Sequence, residues 1–443
     1  MNSTQTQKLG GRIWANILLF GLIGQVAWMV ENMYFNVFLY KTVTYDPNAA
    51  AVMVAASAVA ATVTTLLMGG LSDKLGKRKL FLSGGYIFWG FSILAFAFLT
   101  KENAARWFPA ANAAMLTTVF VVIMDCVMTF FGSTANDAAF NAWETDVTTE
   151  ENRGRAEGVL SAMPLIAMLV VFGALDGLTQ AGNWKAFFLL VGGIVSLCGV
   201  LGLFLVKDAP GLQPNPAPYV PNLVYGFRPA VVKDNGKLYC VFLALAVSGI
   251  ASQVFMPYLM VYLEFGLGIK DYVIPLALVL VLAAAFSVLG GRLADKYGKR
   301  KFLLPAGIVF AIGMFLMYLQ GRFHTQTPQR LQLLLLVVCG CILMGGSLLL
   351  ATVLGASARD ALPSDKRGHF LGVKMVFTVM LPMLIGPFIG SLSIRGAATQ
   401  LDAYGEVQYI PHAGMFLWGG FVALLLLPLL VVIQRAEKRQ EQE

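Results

Sequence analysis

Charge is scarce in this chain. Asp, Glu, Lys and Arg make up 13% of its 443 residues and hydrophobic side chains 58%, where an average soluble domain carries roughly 25% charge. Stretches such as Leu189 to Val206 and Phe416 to Ile433 hold no charge at all and are long enough to cross a bilayer as helix. Too few polar residues remain to cover these stretches in water, which excludes a soluble globular protein. Cysteine is also sparse. Five thiols, an odd number, are scattered through apolar segments, so a disulfide framework is excluded. Cys339 and Cys341 have no His or acidic residue nearby to complete a metal site, and packed thiols are the simpler account. His324, His369 and His412 all fall at loops or segment edges, and no Ser/His/Asp arrangement forms. The phosphate-binding pattern GxxxxGK[ST] is missing, which leaves an ATP-driven pump without support. We therefore expect no enzyme, no cofactor and no metal. Only Lys8 and Arg12 precede the first apolar stretch, and no small-residue cleavage pattern follows, so that stretch is expected to stay in the membrane as a helix.

What is present is a regular series of apolar segments. Twelve candidates of about 20 residues centre near Leu19, Ala58, Trp89, Val122, Ala167, Gly193, Ala246, Ala277, Val309, Cys341, Met380 and Leu424. With the N-terminus placed in the cytoplasm, the loops assign 23 of the 32 Lys and Arg residues to that side and 8 to the other, leaving Lys374 inside a helix. That bias is the positive-inside pattern. The net charge of +8 is then a topological device in contact with anionic lipid, and nucleic acid drops out as a partner. The segment from Lys207 to Lys237 carries Pro210, Pro214, Pro216, Pro218 and Pro221, and proline makes a stiff, helix-breaking connector. The expected architecture is an all-α membrane protein of twelve transmembrane helices. It has a six-helix bundle over 1–206, a cytoplasmic linker over 207–237 and a second six-helix bundle over 238–443. A monomer in the plasma (inner) membrane with both termini cytoplasmic is expected.

One phrase occurs twice. GGLSDKLGKRK runs from Gly69 to Lys79 and GGRLADKYGKRK from Gly290 to Lys301, each between the second and third helix of its half, as parallel repeats require. Paired glycines let helices approach closely, Gly76 and Gly298 allow a sharp turn, and an aspartate at the membrane edge can bind a helix N-terminus. The doubled phrase resembles the signature loop of the major facilitator superfamily, and the similarity covers the whole chain in topology. The resemblance implies the major facilitator fold. It also implies a gate of Asp73, Arg78, Asp295, Arg300 and Lys374, with Asp73 facing the start of the eleventh helix near Lys374 and Asp295 facing the fifth helix near Gly154 and Arg155. Lys77, Lys79, Lys299 and Lys301 read as positive-inside anchors only.

Ionisable groups at membrane depth are costly and mark function. In the fourth segment Ser133, Asp137, Asn141 and Glu144 fall at i, i+4, i+8 and i+11, one polar stripe on a straight helix. Asp137 lies roughly 24 Å from Arg153 along the axis, near the midplane. Glu144 is expected nearer the cytoplasmic mouth, and Asp125 and Asp176 at the outer edge. The first helix offers Gln25, Trp28, Asn32 and Asn36 on one face, with Glu31 near mid-depth as a group able to exchange a proton. Gln253, Tyr258 and Tyr262 on the seventh helix, and Ser347 and Thr352 on the tenth, add weaker polar candidates.

The IMD segment at Ile123–Asp125 and the stretch from Asp137 to Arg155 are similar to the glycoside–pentoside–hexuronide cation symporters. In that branch Asp137 would match the sugar-binding carboxylate. WMVENMYFNVFLY is similar to the branch's first helix, with Glu31 where an aspartate is more usual. The second helix, AVMVAASAVAATVTTLLMGG, has no acidic residue, so the sodium site that the resemblance implies is missing and protons are favoured over sodium. The leading expectation is a secondary active transporter working by alternating access, a proton-coupled sugar or glycoside symporter. Glu31 or Asp137 would exchange the cation. Trp28, Asn32, Asp137, Asn141, Gln253 and Tyr258 would contact substrate, and Trp28 and Tyr34 would stack on a pyranose. A proton antiporter exporting amphipathic organic compounds is the alternative, and a non-transporting receptor or scaffold on the same fold a third reading.

Overall fold

A computed structural model describes residues 9–210, 212–214, 225–362, 370–396, 399–401 and 407–440. Twelve helices among them are long and apolar enough to cross a membrane: α1 Gly11–Val43, α2 Pro47–Leu75, α3 Arg78–Phe96, α4 Ala113–Val147, α5 Asn152–Gln180, α6 Trp184–Leu205, α7 Gly236–Gly266, α8 Val273–Ala294, α9 Arg300–Arg322, α10 Leu331–Ala361, α11 Leu371–Arg395 and α12 Gly414–Lys438. Apolar composition forces this choice, because in lipid every backbone N–H and C=O needs a partner within the segment. Besides short connecting helices such as Lys101–Trp107 and Pro229–Asp234, the other regular element among the described residues is a two-residue antiparallel pair, Gln400–Leu401 with Val407–Gln408.

Polar side chains mark where helices begin. Asn112 accepts from the Met115 amide at 3.0 Å to cap α4, and Asn183 accepts from Ala186 at 3.2 Å to cap α6. Helix α3 is capped from a distance. Asp208 Oδ1 accepts from the amides of Arg78 (2.9 Å) and Lys79 (2.7 Å), satisfying donors that a helix start leaves open. The first residues of the expected connector are thus pinned, since the Trp143 indole also donates to the Lys207 carbonyl at 2.9 Å. Pro216, Pro218 and Pro221 lie outside the described residues.

The chain divides into two compact units, Met1–Thr44 with Val59–Tyr219, and Tyr45–Ala58 with Val220–Glu443. These differ from the expected bundles chiefly at residues 45–58, the first half of α2, which cluster with the second unit. Two contacts show why: the Tyr258 hydroxyl lies 3.0 Å from the Pro47 carbonyl, and Arg395 lies 3.7 Å from Asp46. The core of the first unit is aromatic at one end. Phe35 packs on Phe96 with ring centroids 4.3 Å apart, and Phe38 and Phe35 meet Phe188 at 5.0 and 5.6 Å, edge-on or tilted as ring quadrupoles favour. In the second unit Phe416 plays that part between Phe255 and Tyr262, at 5.0 and 5.5 Å.

The doubled phrase turns as its glycines require. Gly76 (φ 61°) and Gly298 (φ 95°) both adopt left-handed backbone, where a side chain would be strained.

Candidate functional site

Helix α1 widens into a π-helical turn at Val30–Tyr34 and α4 does so over Ser133–Phe140. Such turns are rare and favour functional positions. Each contains one of the two mid-membrane carboxylates expected from sequence, Glu31 and Asp137. Widening shifts N–H bonds from i−4 to i−5 carbonyls and frees oxygens, and side-chain amides answer them. Asn32 Nδ2 donates to the Trp28 carbonyl at 2.8 Å, Asn36 to Asn32 at 3.0 Å, and Asn141 to Asp137 at 3.0 Å.

The carboxylates hang from neighbouring hydroxyls. Thr129 Oγ1 donates to Glu31 Oε1 at 2.8 Å, and Ser133 Oγ donates to Asp137 Oδ2 at 3.0 Å. Thr129 and Ser133 are four residues apart on α4, so they are vertical neighbours on one face. Glu31 and Asp137 therefore occupy successive levels of that face, separated by about one turn, ~5.4 Å of rise. Glu31 is buried at 7% exposure and Asp137 is half-buried. Thr65 of α2 approaches Asp137 as well, without reaching hydrogen-bond geometry. No cationic side chain pairs with Asp137 among the described residues.

One level further along, Trp28 Nε1 donates to Asn136 Oδ1 (3.2 Å), Asn136 Nδ2 to the Tyr86 hydroxyl (2.8 Å), and Tyr86 to the Phe20 carbonyl (2.7 Å). The Trp28 ring leans on Trp89 at 5.0 Å between centroids. Gly24 is what lets this network close, since a methyl there would collide with the Asn136 amide and the Tyr86 hydroxyl. Glu31, Asp137 and Trp28 thus come together in the first unit, with Asn32 and Asn141 exposed beside them.

Several expectations need correction. The four-residue stripe on α4 does not survive as one face. The π-helical segment breaks the 3.6-residue period, leaving Asn141 exposed while Ser133 and Glu144 are buried. Glu144 is buried at 6% exposure, and its Oε1 has no hydrogen-bond partner among the described residues. Asp125 is no solvated edge carboxylate but is 2% exposed. Asp176, also buried, accepts from the Tyr34 hydroxyl at 2.9 Å and from Thr179 at 3.2 Å. Tyr34 is consequently committed to packing between Phe172 and Phe187 and cannot stack on a solute. In the second unit Tyr258 is buried, its hydroxyl between the carbonyls of Pro47 and Pro387 (3.0 and 2.8 Å), which removes it as a substrate contact. It does not share a regular helix face with Tyr262 either, because α7 passes from a 3₁₀ turn at Met256–Tyr258 to a π turn at Tyr262–Gly266. Gln253 is half-buried beside Gly386 of α11, where a methyl on the glycine would collide with the Gln253 Cβ. Ser347 lies 3.5 Å from Ser252, and Thr352 3.3 Å from Ser287.

The first copy of the repeated phrase forms an ion cluster. Arg78, buried at 6% exposure, reaches Asp73 at 2.6 Å, Asp146 at 2.9 Å and the Ser72 hydroxyl at 2.9 Å. In the second copy Lys299 pairs with Asp360 at 2.8 Å, while the Arg300 carbonyl accepts from Gln434 at 3.1 Å. The Asp295 side chain lies outside the described residues, and Lys374 is exposed.

Thr129, Asn136, Tyr86 and Trp89 were missed from sequence. Asn136 adjoins Asp137 but falls off the 3.6-residue stripe, and Tyr86 and Trp89 read as ordinary apolar packing in α3. The only signal was the cluster of small polar residues in GSTAND, a poor run for a straight helix.

The family model described as Major Facilitator Superfamily matches residues 17–281 and 241–443. Among solved structures the chain is similar to the nucleoside transporter NupG, with TM-score 0.69 and 11% identity over 95% of this chain and 99% of that one. A bacterial homolog of the human lysosomal transporter Spinster gives 0.63 and 14% over 96% of each chain. The xylose transporter XylE from E. coli gives 0.64 and 14% over 94% and 97%. No curated protein matches in sequence.

Proposed function

Because this chain belongs to the Major Facilitator Superfamily, and is thus an integral membrane transporter rather than an enzyme, we propose that it is a proton-coupled symporter of a sugar or glycoside. Glu31 is the proton-exchanging group, and Asp137, Asn141, Asn32 and Trp28 bind the solute. The observation that carries this reading is the pair of carboxylates on successive levels of α4, each in a π-helical turn. An ionised acid at membrane depth is costly, and binding a proton at Glu31 removes that charge while Thr129 keeps the carboxyl oriented. Asp137, half-buried and without a cation, offers acceptors for hydroxyls, and Trp28 offers an aromatic edge; few, well-placed polar groups in an apolar wall are what a small-molecule site needs. Two of the structural neighbours are transporters of xylose and of nucleosides, solutes that both contain a pentose, in keeping with a hydroxyl-rich solute. The likeness to glycoside–pentoside–hexuronide symporters in the first and fourth helices points the same way. Absence of an acid from Ala51 to Gly70 of α2 favours protons over sodium.

Alternating access would be controlled at the repeated phrases, by Asp73 with Arg78 and by Asp295 with Arg300, acting with Lys374. In that scheme Asp73→Ala inserts normally but transports several-fold more slowly, and wild-type rates in that variant would refute the gate. The positive-inside bias of the loops supports cytoplasmic termini and a plasma-membrane location.

The experiment is uptake of labelled pentoses, hexoses, glycosides and nucleosides into proteoliposomes with an inward proton gradient, a sodium gradient or neither. Accumulation of a sugar or glycoside driven by the proton gradient alone supports the reading. Sodium-driven uptake, or proton-driven extrusion of amphipathic compounds, contradicts it.

A further inference from the structure

Outside the first unit's site, the second unit carries a recess at the end of the bundle opposite the repeated phrase. It has two connected parts. One, of about 520 Å³, runs between α11 and α12 and is walled by Ile389, Leu392, Trp418, Phe421 and Leu425. The other, of about 620 Å³, opens at the ends of α9 and α11 and the start of α12, beside Tyr318, Arg322 and His412. Leu392, Ser393 and Trp418 line both, so the two are continuous. Exposed apolar residues are ordinary on a membrane protein's lipid-facing side. A groove that is apolar along its length and cationic at one end is not.

The charge at that end is specific. Arg322 is the one ionised residue lining the recess. It is exposed and has no ion-pair partner among the described residues. Arg395, the cation on the neighbouring helix end, is already engaged by Asp46 at 3.7 Å and by the Tyr409 ring. His412 is spoken for on both nitrogens: the Gly414 amide donates to Nδ1 at 3.0 Å, which leaves the proton on Nε2 to donate to the Ser393 carbonyl at 3.1 Å. It forms a fixed wall and leaves the anion to Arg322. Trp418 and Tyr318 lie one turn from the ends of their spans, the depth at which aromatic side chains border lipid headgroups. Arginine matches phosphate oxygens in a planar fork.

We propose that this groove is a binding site for an anionic glycerophospholipid. The headgroup phosphate lies on Arg322, and one acyl chain runs along Trp418, Phe421 and Leu425. This site is independent of the transport site, because all its residues belong to the second unit and to its lipid-facing recess.

The test places the full-length protein in nanodiscs containing phosphatidylglycerol or phosphatidylcholine with brominated acyl chains. Quenching of Trp418 fluorescence is read as the difference between wild type and Trp418→Phe. At low ionic strength the brominated phosphatidylglycerol should reach half-maximal quenching at about a fivefold lower mole fraction, the scale of one basic residue beside anionic lipid. Arg322→Gln should bring the ratio near one, and Arg322→Lys should keep most of it. Should Arg322→Gln fold poorly, the wild type alone decides, since 1 M salt should collapse the preference through screening. Equal quenching by both lipids in the wild type, or a preference that survives Arg322→Gln, overturns the assignment.

Discussion

The two copies of the repeated phrase are nearly the same words in different company. In the first, Arg78 is buried and shared between Asp73 and Asp146, with Ser72 on a third N–H. Asp208 meanwhile holds the start of α3 through two amides. In the second, the described ion pair falls one residue earlier, between Lys299 and Asp360, and both partners reach solvent, at 33% and 60% side-chain exposure. Each half brings an acid from the end of its fourth helix, Asp146 on α4 and Asp360 on α10, but the resulting environments differ. A guanidinium withdrawn from solvent depends on its acids, because an uncompensated buried charge is costly. An exposed lysine pair contributes little, since water and salt compete for both ends. A motif fixes which charges are present; burial decides what they are worth.

That contrast yields a graded series, read as thermal unfolding of detergent-solubilised protein. Removing both acids, with Asp73→Asn and Asp146→Asn together, strands Arg78 and should cost about 3–5 kcal/mol. A double variant as stable as wild type would erase the distinction between the copies. Arg78→Ala leaves behind only partly exposed acids and should cost less, about 2 kcal/mol. Asp208→Ala takes two hydrogen bonds from the α3 start and should cost about 1 kcal/mol, with Asp208→Asn recovering part of it. Lys299→Ala or Asp360→Ala should lie within about 0.5 kcal/mol of wild type, and in 1 M salt the difference should vanish. A loss above 2 kcal/mol from Lys299→Ala would show that the second copy bears load like the first.

The same division between words and company separates what the sequence revealed from what it hid. Twelve spans could be read because lipid admits little but helix, and their lengths are set by the bilayer. Glu31 and Asp137 stood out because charge at that depth is rare, and the structure brings both to one face of α4. Hidden were the π-helical turns, which depend on how α1 and α4 pack and leave no period in the sequence. The placements that failed were ones that relied on a straight helix: Glu144 and Asn141 on one stripe, Tyr258 and Tyr262 on one face. Asn136 was overlooked on the same ground, although it joins Trp28 to Tyr86. Asp125 and Asp176 were assigned to an edge by counting residues, whereas the acceptor capacity of Asp176 is used by a tyrosine 142 positions away. Long-range partners of that kind are invisible to spacing.

The central claim, that Glu31 carries the coupled proton, is tested most directly by comparing two assays on Glu31→Gln in proteoliposomes. One is uptake driven by a proton gradient; the other is exchange of labelled for unlabelled solute without a gradient. Loss of gradient-driven accumulation with exchange kept within about twofold of wild type is the result expected if the proton sits on Glu31. Undiminished gradient-driven accumulation in Glu31→Gln would contradict it.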